Sequence, residues 1–239
     1  AEAIFYAGSF NKKIAHAIET HTSLRVFIPF EPVENTDNEK VLPLARLIEM
    51  GKGALAAGST LPERNSKDLA VMLFTSGTTG YPKIAMHSHR YPLGHFITAK
   101  YWHNVDPDGL HFTISDTGWG KALWGKLYGQ WLCECAVFVY DFDRFDAEKI
   151  LPLFKQYNIT TFCAPPTMYR MLIKQDLSRF DLSSIEHAST AGEALNPEVF
   201  RQFENHTGLK IMEGFGQSES TLIVGNLAGG NYKIGSMGK

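Results

Sequence analysis

Short apolar runs alternate with amphipathic stretches along almost the whole chain, and this rhythm constrains the fold more than any other feature. Runs at residues 4–7, 24–30, 69–74, 110–115, 136–140, 160–164, 187–191 and 210–213 predict strands, with 69–74 read as a buried one. Between them, Ile150, Leu153, Phe154 and Tyr157 recur at i, i+3, i+4 and i+7, with Asp146 placed to cap the helix start. Asn196-Pro197-Glu198 supplies an N-cap, a first-turn proline and an acid near the helix dipole, and Gly208 supplies the stop. Repeated strand–helix–strand units predict an α/β fold, a mostly parallel sheet flanked by helices on both faces. Ligands of such sheets bind beyond the carboxyl ends of the strands. Segment 31–68 is more polar and irregular, with a helix predicted near 42–50. It divides the chain into a small α/β segment, residues 1–60, and a larger α/β subdomain, residues 61–239.

Composition narrows the function. A length of 239 residues, with 44% apolar and 20% charged residues, is that of a globular protein with a sizeable core. With a formal net charge of −2 and no Lys/Arg cluster, the chain lacks the basic face that nucleic acid requires, so no nucleic-acid partner is expected. No apolar run reaches the about 18 residues needed to cross a bilayer, so no membrane span is expected. Three cysteines, Cys133, Cys135 and Cys163, cannot all pair, which fits a reducing, cytoplasmic setting. Cys133-Glu134-Cys135 has no second ligand cluster, so these thiols read as buried structural groups.

Chemistry concentrates in residues 75–83: Thr75, Ser76, Gly77, Thr78, Thr79, Gly80, Tyr81, Pro82 and Lys83. Glycines let the backbone turn its N–H groups toward an anion, hydroxyls add donors, and Lys83 adds a mobile positive charge. The loop follows the apolar run 69–74 and is expected at the carboxyl end of a sheet strand. It suits a polyphosphate, but the Gly–Lys spacing and the proline are wrong for a Walker A loop.

A second loop, expected after the last strand, reads Glu213, Gly214, Phe215, Gly216, Gln217, Ser218 and Glu219. Its glycines allow close backbone approach, Phe215 offers a ring to stack on a base, Ser218 can bond a phosphate oxygen, and Glu219 offers a hard carboxylate suited to Mg²⁺. Gly192, Glu193 and Ala194 follow another strand, where Glu193 could otherwise cap a helix. Trp119 and Gly120, beside Asp116 and Gly118, place an indole where it can wall an apolar pocket, with Asp116 read as capping the turn. His87 and His89 stand at i, i+2 without an acid partner and read as solvent-facing or helix-entry residues. Trp124, Tyr128 and Trp131 read mainly as helix packing.

The loop at 75–83 resembles the signature phosphate loop of the adenylate-forming (AMP-binding) superfamily: acyl-CoA synthetases, luciferases and adenylation domains. Residues 213–219 resemble that family's Tyr-Gly-x-Thr-Glu motif, with Phe215 in place of tyrosine and Ser218 in place of threonine. Residues 191–195 look like its Gly-Glu segment, which lies along adenine and ribose. Residues 113–120 and 164–170 are similar to the medium-chain branch of acyl-CoA synthetases, where the Thr-Gly-Trp region adjoins the acyl group.

The resemblance implies the central part of an adenylate-forming N-terminal domain and a reaction in two steps. A short- to medium-chain fatty carboxylate and ATP give acyl-AMP and pyrophosphate, and coenzyme A then displaces AMP. It implies ATP/AMP, Mg²⁺ and coenzyme A as cofactors. Lys83, Ser218 and Glu219 would be catalytic, with Glu219 the metal ligand. Thr75, Ser76, Gly77, Thr78, Thr79, Gly80, Lys83, Gly192, Glu193, Ala194, Glu213, Gly214, Phe215, Gly216, Gln217 and Ser218 would hold nucleotide, and Trp119 and Gly120 the acid. No counterpart of the family's ribose-binding aspartate or C-terminal domain precedes Lys239, so a fragment is expected, inactive without the missing C-terminal domain of the same polypeptide. An aryl-CoA ligase, a carrier-protein-loading domain and a non-catalytic nucleotide-binding module remain open alternatives.

Overall fold

A computed structural model describes residues 2–21, 23–33, 38–75, 80–142 and 144–238. The chain forms two compact units, Ala1–Glu63 and Arg64–Lys239. In the first, β1 (Ala3–Tyr6) pairs in parallel with β2 (Val26–Pro29), Ala3 opposite Val26, and α1 (Asn11–Thr20) is the crossover. Tyr6, Ile14, Phe27 and Val41 close a small core. The helix expected near 42–50 is α2 (Leu44–Ala56), which starts after Pro43.

The second unit contains a six-stranded sheet. Its strands are β5 (Leu110–Thr113), β6 (Ala136–Phe138), β7 (Thr161–Cys163), β8 (His187–Ala191), β9 (Ile211–Gly216) and β10 (Leu222–Gly225), in the order β10-β9-β8-β7-β5-β6. All neighbouring pairs are parallel except β9–β10, an antiparallel edge hairpin. Helices cover both faces. One face, with Phe112, Phe162, Ala188 and Ile211, packs on α6 (Ala147–Tyr157), α7 (Pro166–Leu172) and α8 (Pro197–Thr207) in an apolar core rich in phenylalanine. The opposite face presents the alternating residues His111, Thr113, Thr161, His187 and Ser189, all buried. They lie toward α3 (Tyr91–Ile97), a π-helical turn over Thr98–Trp102, α4 (Gly120–Lys126) and α5 (Tyr128–Leu132).

Local signals explain the helices. Asp146 accepts the Glu148 N–H at 3.1 Å and starts α6. Asn196 accepts the Glu198 N–H at 2.8 Å, Pro197 follows, and Gly208 at φ +72° ends α8.

Residues 69–74 depart from expectation. They form β3 (Leu69–Thr75), which pairs only with the antiparallel β4 (Lys83–Ser88) among the described residues, not with the parallel sheet. The strand is not buried: Leu69, Met72 and Phe74 are exposed. An apolar run specifies a strand but not its partner, and β4, hidden behind Pro82, had no apolar run to announce it. Thr75 and Lys83, which bound the candidate phosphate loop, therefore pair with each other in a hairpin rather than at the end of a strand of the parallel sheet. Likewise, Glu213, Gly214, Phe215 and Gly216 lie within β9 and not in a loop, because pairing with β10 carries the strand through its glycines.

Candidate functional site

The carboxyl ends of β5, β7, β8 and β9 bring the sequence motifs to one edge. Ala191, last in β8, lies opposite Gly214, so Gly192 and Glu193 leave the sheet beside Phe215 and Gly216. Gly192 has φ +106°, a conformation that favours glycine and turns the chain out of the strand. Glu193 does not cap a helix, since α8 begins only at Pro197. Its carboxylate instead accepts the Thr167 hydroxyl at 3.1 Å and lies 3.6 Å from the Arg170 guanidinium, which also donates to Thr167 at 2.7 Å. Ala194 is exposed beside it.

Glu213 is buried and accepts the Leu195 N–H at 2.8 Å, so its carboxylate faces the protein and fixes the segment after β8. Burial raises its pKa above the ordinary glutamate value, against the opposing effect of that hydrogen bond. Gly214 has the Trp102 indole so close that a Cβ would meet it at 2.8 Å. Phe215 leaves its ring partly open, as stacking on a base requires. Gln217 accepts the Ser220 N–H at 3.1 Å, closing the hairpin turn that carries Ser218 and the exposed Glu219.

This turn is tied to the β3–β4 hairpin. The His87 Nε2–H donates to the Ser218 carbonyl at 2.7 Å, which makes His87 a structural tie and not a solvent-facing residue. Its ring stacks on Tyr91 at 3.7 Å, and the Tyr91 hydroxyl donates to the Ser220 carbonyl at 3.2 Å. Lys83, exposed at the start of β4, is paired across the ladder with Thr75. Gly80 has φ +89°, while Ser76, Gly77, Thr78 and Thr79 lie outside the described residues.

On the other side of the edge, Asp116 accepts the Gly118 N–H at 2.7 Å and caps the turn, as its position predicts. Trp119 is 62% exposed and lines a cavity of about 620 Å³ with Phe112, Ile114, Val139, Phe142 and Met168. That volume lies within the range of roughly 300–1,000 Å³ common for small-molecule sites. Gly120 packs against β3, where a Cβ would meet Leu73 at 3.2 Å. Cys133 and Cys135 are buried and free, with burial raising both thiol pKa values. Among the described residues, no group of three His, Cys, Asp or Glu is placed to hold a metal. Glu219 is a single exposed carboxylate, and Mg²⁺ sites commonly use only one or two carboxylates beside phosphate oxygens and water.

A sequence profile for AMP-binding enzymes matches residues 7–239. The chain belongs to the AMP-binding enzyme family. Human mitochondrial acyl-coenzyme A synthetase ACSM4 is 43% identical over 178 residues, which is 74% of this chain and 31% of that protein. Mitochondrial acyl-coenzyme A synthetase ACSM3 of Pongo abelii is 39% identical over 194 residues, 81% of this chain and 33% of its own. The chain thus spans about a third of the length of these curated relatives. Among solved structures, Brucella canis acyl-CoA synthetase superposes with TM-score 0.80 at 25% identity, covering all of this chain and 43% of that one. The anthranilate CoA ligase AuaEII in complex with anthranoyl-AMP gives TM-score 0.85 at 23% identity, covering 100% and 45%, and shows the shared fold.

In this member of the AMP-binding enzyme family, sequence reasoning missed the supporting groups: Thr167 and Arg170 behind Glu193, and His87 and Tyr91 behind the Ser218 turn. Arg170 follows Thr167 by three residues on α7, a helical spacing that places both on one face. Their partners stand 23–26 positions away, and nothing local marks them.

Proposed function

We propose that the chain carries the acyl-adenylate site of an ATP-dependent acyl-CoA synthetase acting on short- to medium-chain fatty acids. The observation that carries this reading is the largely apolar cavity beside Trp119 at the carboxyl ends of β5 and β7, on the sheet edge where the Gly192–Glu193 and Phe215–Glu219 segments leave the neighbouring β8 and β9. One edge then serves an aliphatic tail on one side and a nucleotide on the other.

The chemistry needs little from the protein in acid–base terms. A fatty carboxylate is ionised at neutral pH, and its oxygen attacks the α-phosphorus directly, forming the acyl–phosphate bond as the bond to pyrophosphate breaks. The obstacle is charge, because an anion must approach a polyanion. Lys83 and the hydroxyls of its loop would disperse phosphate charge, and Ser218 would add a donor. Glu219 would hold Mg²⁺, which when bound neutralises phosphate oxygens. In the second step the coenzyme A thiolate attacks the acyl carbon and AMP leaves. Phe215 would stack on adenine, and Glu193, held by Thr167 and Arg170, would border the ribose side.

Pyrophosphate release measured with straight-chain acids of graded length tests the reading on the polypeptide that contains this chain. A maximum among short- to medium-chain acids is expected, with release falling for acids too long for the cavity. Preference for an aryl acid, or release independent of any acid, would contradict it.

A further inference from the structure

Lys121 is the second residue of α4, directly after Trp119 and Gly120, and it is only 6% exposed. Its ammonium donates to the Ala191 carbonyl at 3.0 Å, and among the described residues it enters no ion pair. A buried ammonium without a carboxylate partner is unfavourable, and a methionine of similar length would fill the same space. Packing alone does not account for a lysine here. Its place does offer an account. Ala191 is the last residue of β8, and the chain turns at Gly192 immediately beyond it. Lys121 therefore links the segment that bears Trp119 to the end of the strand that precedes Glu193.

The remaining supports of these two segments act on each one separately. Asp116 holds only the Trp119 turn and Glu213 only the segment after β8, while Thr167 ties Glu193 to α7 and not to the Trp119 segment. Lys121 joins them, and it does so with a charged donor. Hydrogen bonds to charged groups are stronger than neutral ones. In the same buried layer, His111 and His187 are engaged with Thr161, Thr113 and the Trp102 carbonyl, and His103 bonds Ser189 through Nδ1 while its Nε2 has no partner; the Ala191 carbonyl is met by Lys121.

We propose that Lys121 is a positioning residue that sets the acyl half of the site against its nucleotide half, through the carbonyl of Ala191. The proposal rests on the acyl-adenylate reading above. Its signature is that a ligand engaging both halves loses more than a ligand engaging one.

The test uses the full chain with Lys121→Met and Lys121→Arg, titrated calorimetrically with AMP and with a non-hydrolysable octanoyl-adenylate mimic. Amide hydrogen exchange at Leu195 is followed in parallel. Lys121→Met should weaken the mimic at least about ten-fold, as expected for a lost charged hydrogen bond, and reduce its advantage over AMP. Exchange at Leu195 should accelerate, and Lys121→Arg should restore both. A lower melting temperature with an unchanged ratio of mimic to AMP affinity would mean a purely structural role and overturn the proposal. If Lys121→Met does not fold, Lys121→Gln, neutral but still a donor, is read by the same ratio. Failure of the unmutated chain to bind the mimic would instead sink the acyl-adenylate reading itself.

Discussion

Lys83 and Phe215 carry the residue-scale expectations, because both are exposed and neither supports the core. Lys83→Ala should weaken ATP binding about ten-fold or more, through lost charge-assisted bonds to phosphate. Its melting temperature should barely move, since surface substitutions stay within about 0.5 kcal/mol. Calorimetry with ATP and with adenosine separates the effects, because adenosine affinity should not change. Phe215→Ala should weaken AMP by roughly 1 kcal/mol, the scale of an aromatic stacking contact, and should weaken inorganic pyrophosphate not at all. Equal losses for both ligands would remove Phe215 from the base-binding role. The motif residues were legible in the sequence because glycines, hydroxyls and one lysine cluster within nine positions. Lys121 was not legible, since its partner Ala191 stands 70 residues away.

Among the elements, α6 and α8 were readable because their caps are local: Asp146, Asn196 and Gly208 act within one turn of themselves. The burial of β3 was not, because burial depends on what packs against a strand from elsewhere in the chain. β4 and β10 escaped for a related reason. Their pairing is supplied by neighbours across a turn, and their own sequences, such as Lys83-Ile84-Ala85-Met86-His87-Ser88, alternate only weakly. The approach of α3 to α5 is equally silent in sequence and gives a prediction at this scale. A Cβ on Gly129 would collide with the His95 carbonyl and come within 2.7 Å of the Ala99 methyl. Gly129→Ala should therefore destabilise the chain by about 1–3 kcal/mol, the usual cost of overpacking. Urea unfolding should show a lower midpoint at unchanged slope; an unchanged midpoint would mean the helices can separate freely.

Across the larger unit, the two faces of the sheet have different chemistry, and this shapes its response to pH. The phenylalanine-rich face has no histidine among its core side chains. The other carries His111, held neutral by burial with its pKa lowered to about 3, and His187, with His103 packed against them, both lowered chiefly by the same cause. His95 is lowered to about 4, first by burial and then by the nearby His87. Below the ordinary histidine pKa of about 6.5, the unfolded chain binds protons that the folded chain refuses, so stability falls as pH falls from there toward 4. Glu213, with its raised pKa, acts in the opposite direction but is a single group. The urea midpoint should thus be clearly lower at pH 4.5 than at pH 7.5, and a flat profile would contradict neutral burial of these rings.

The central claim concerns what the strand ends hold together, a nucleotide and an aliphatic acyl group in one site. Calorimetric titration of the chain with AMP and with the non-hydrolysable octanoyl-adenylate mimic tests it most directly. Each methylene transferred from water into the cavity behind Trp119 contributes about 0.8 kcal/mol, so the mimic should bind at least about a hundred-fold more tightly than AMP. Equal affinity for the two would contradict the claim and leave a site for nucleotide alone.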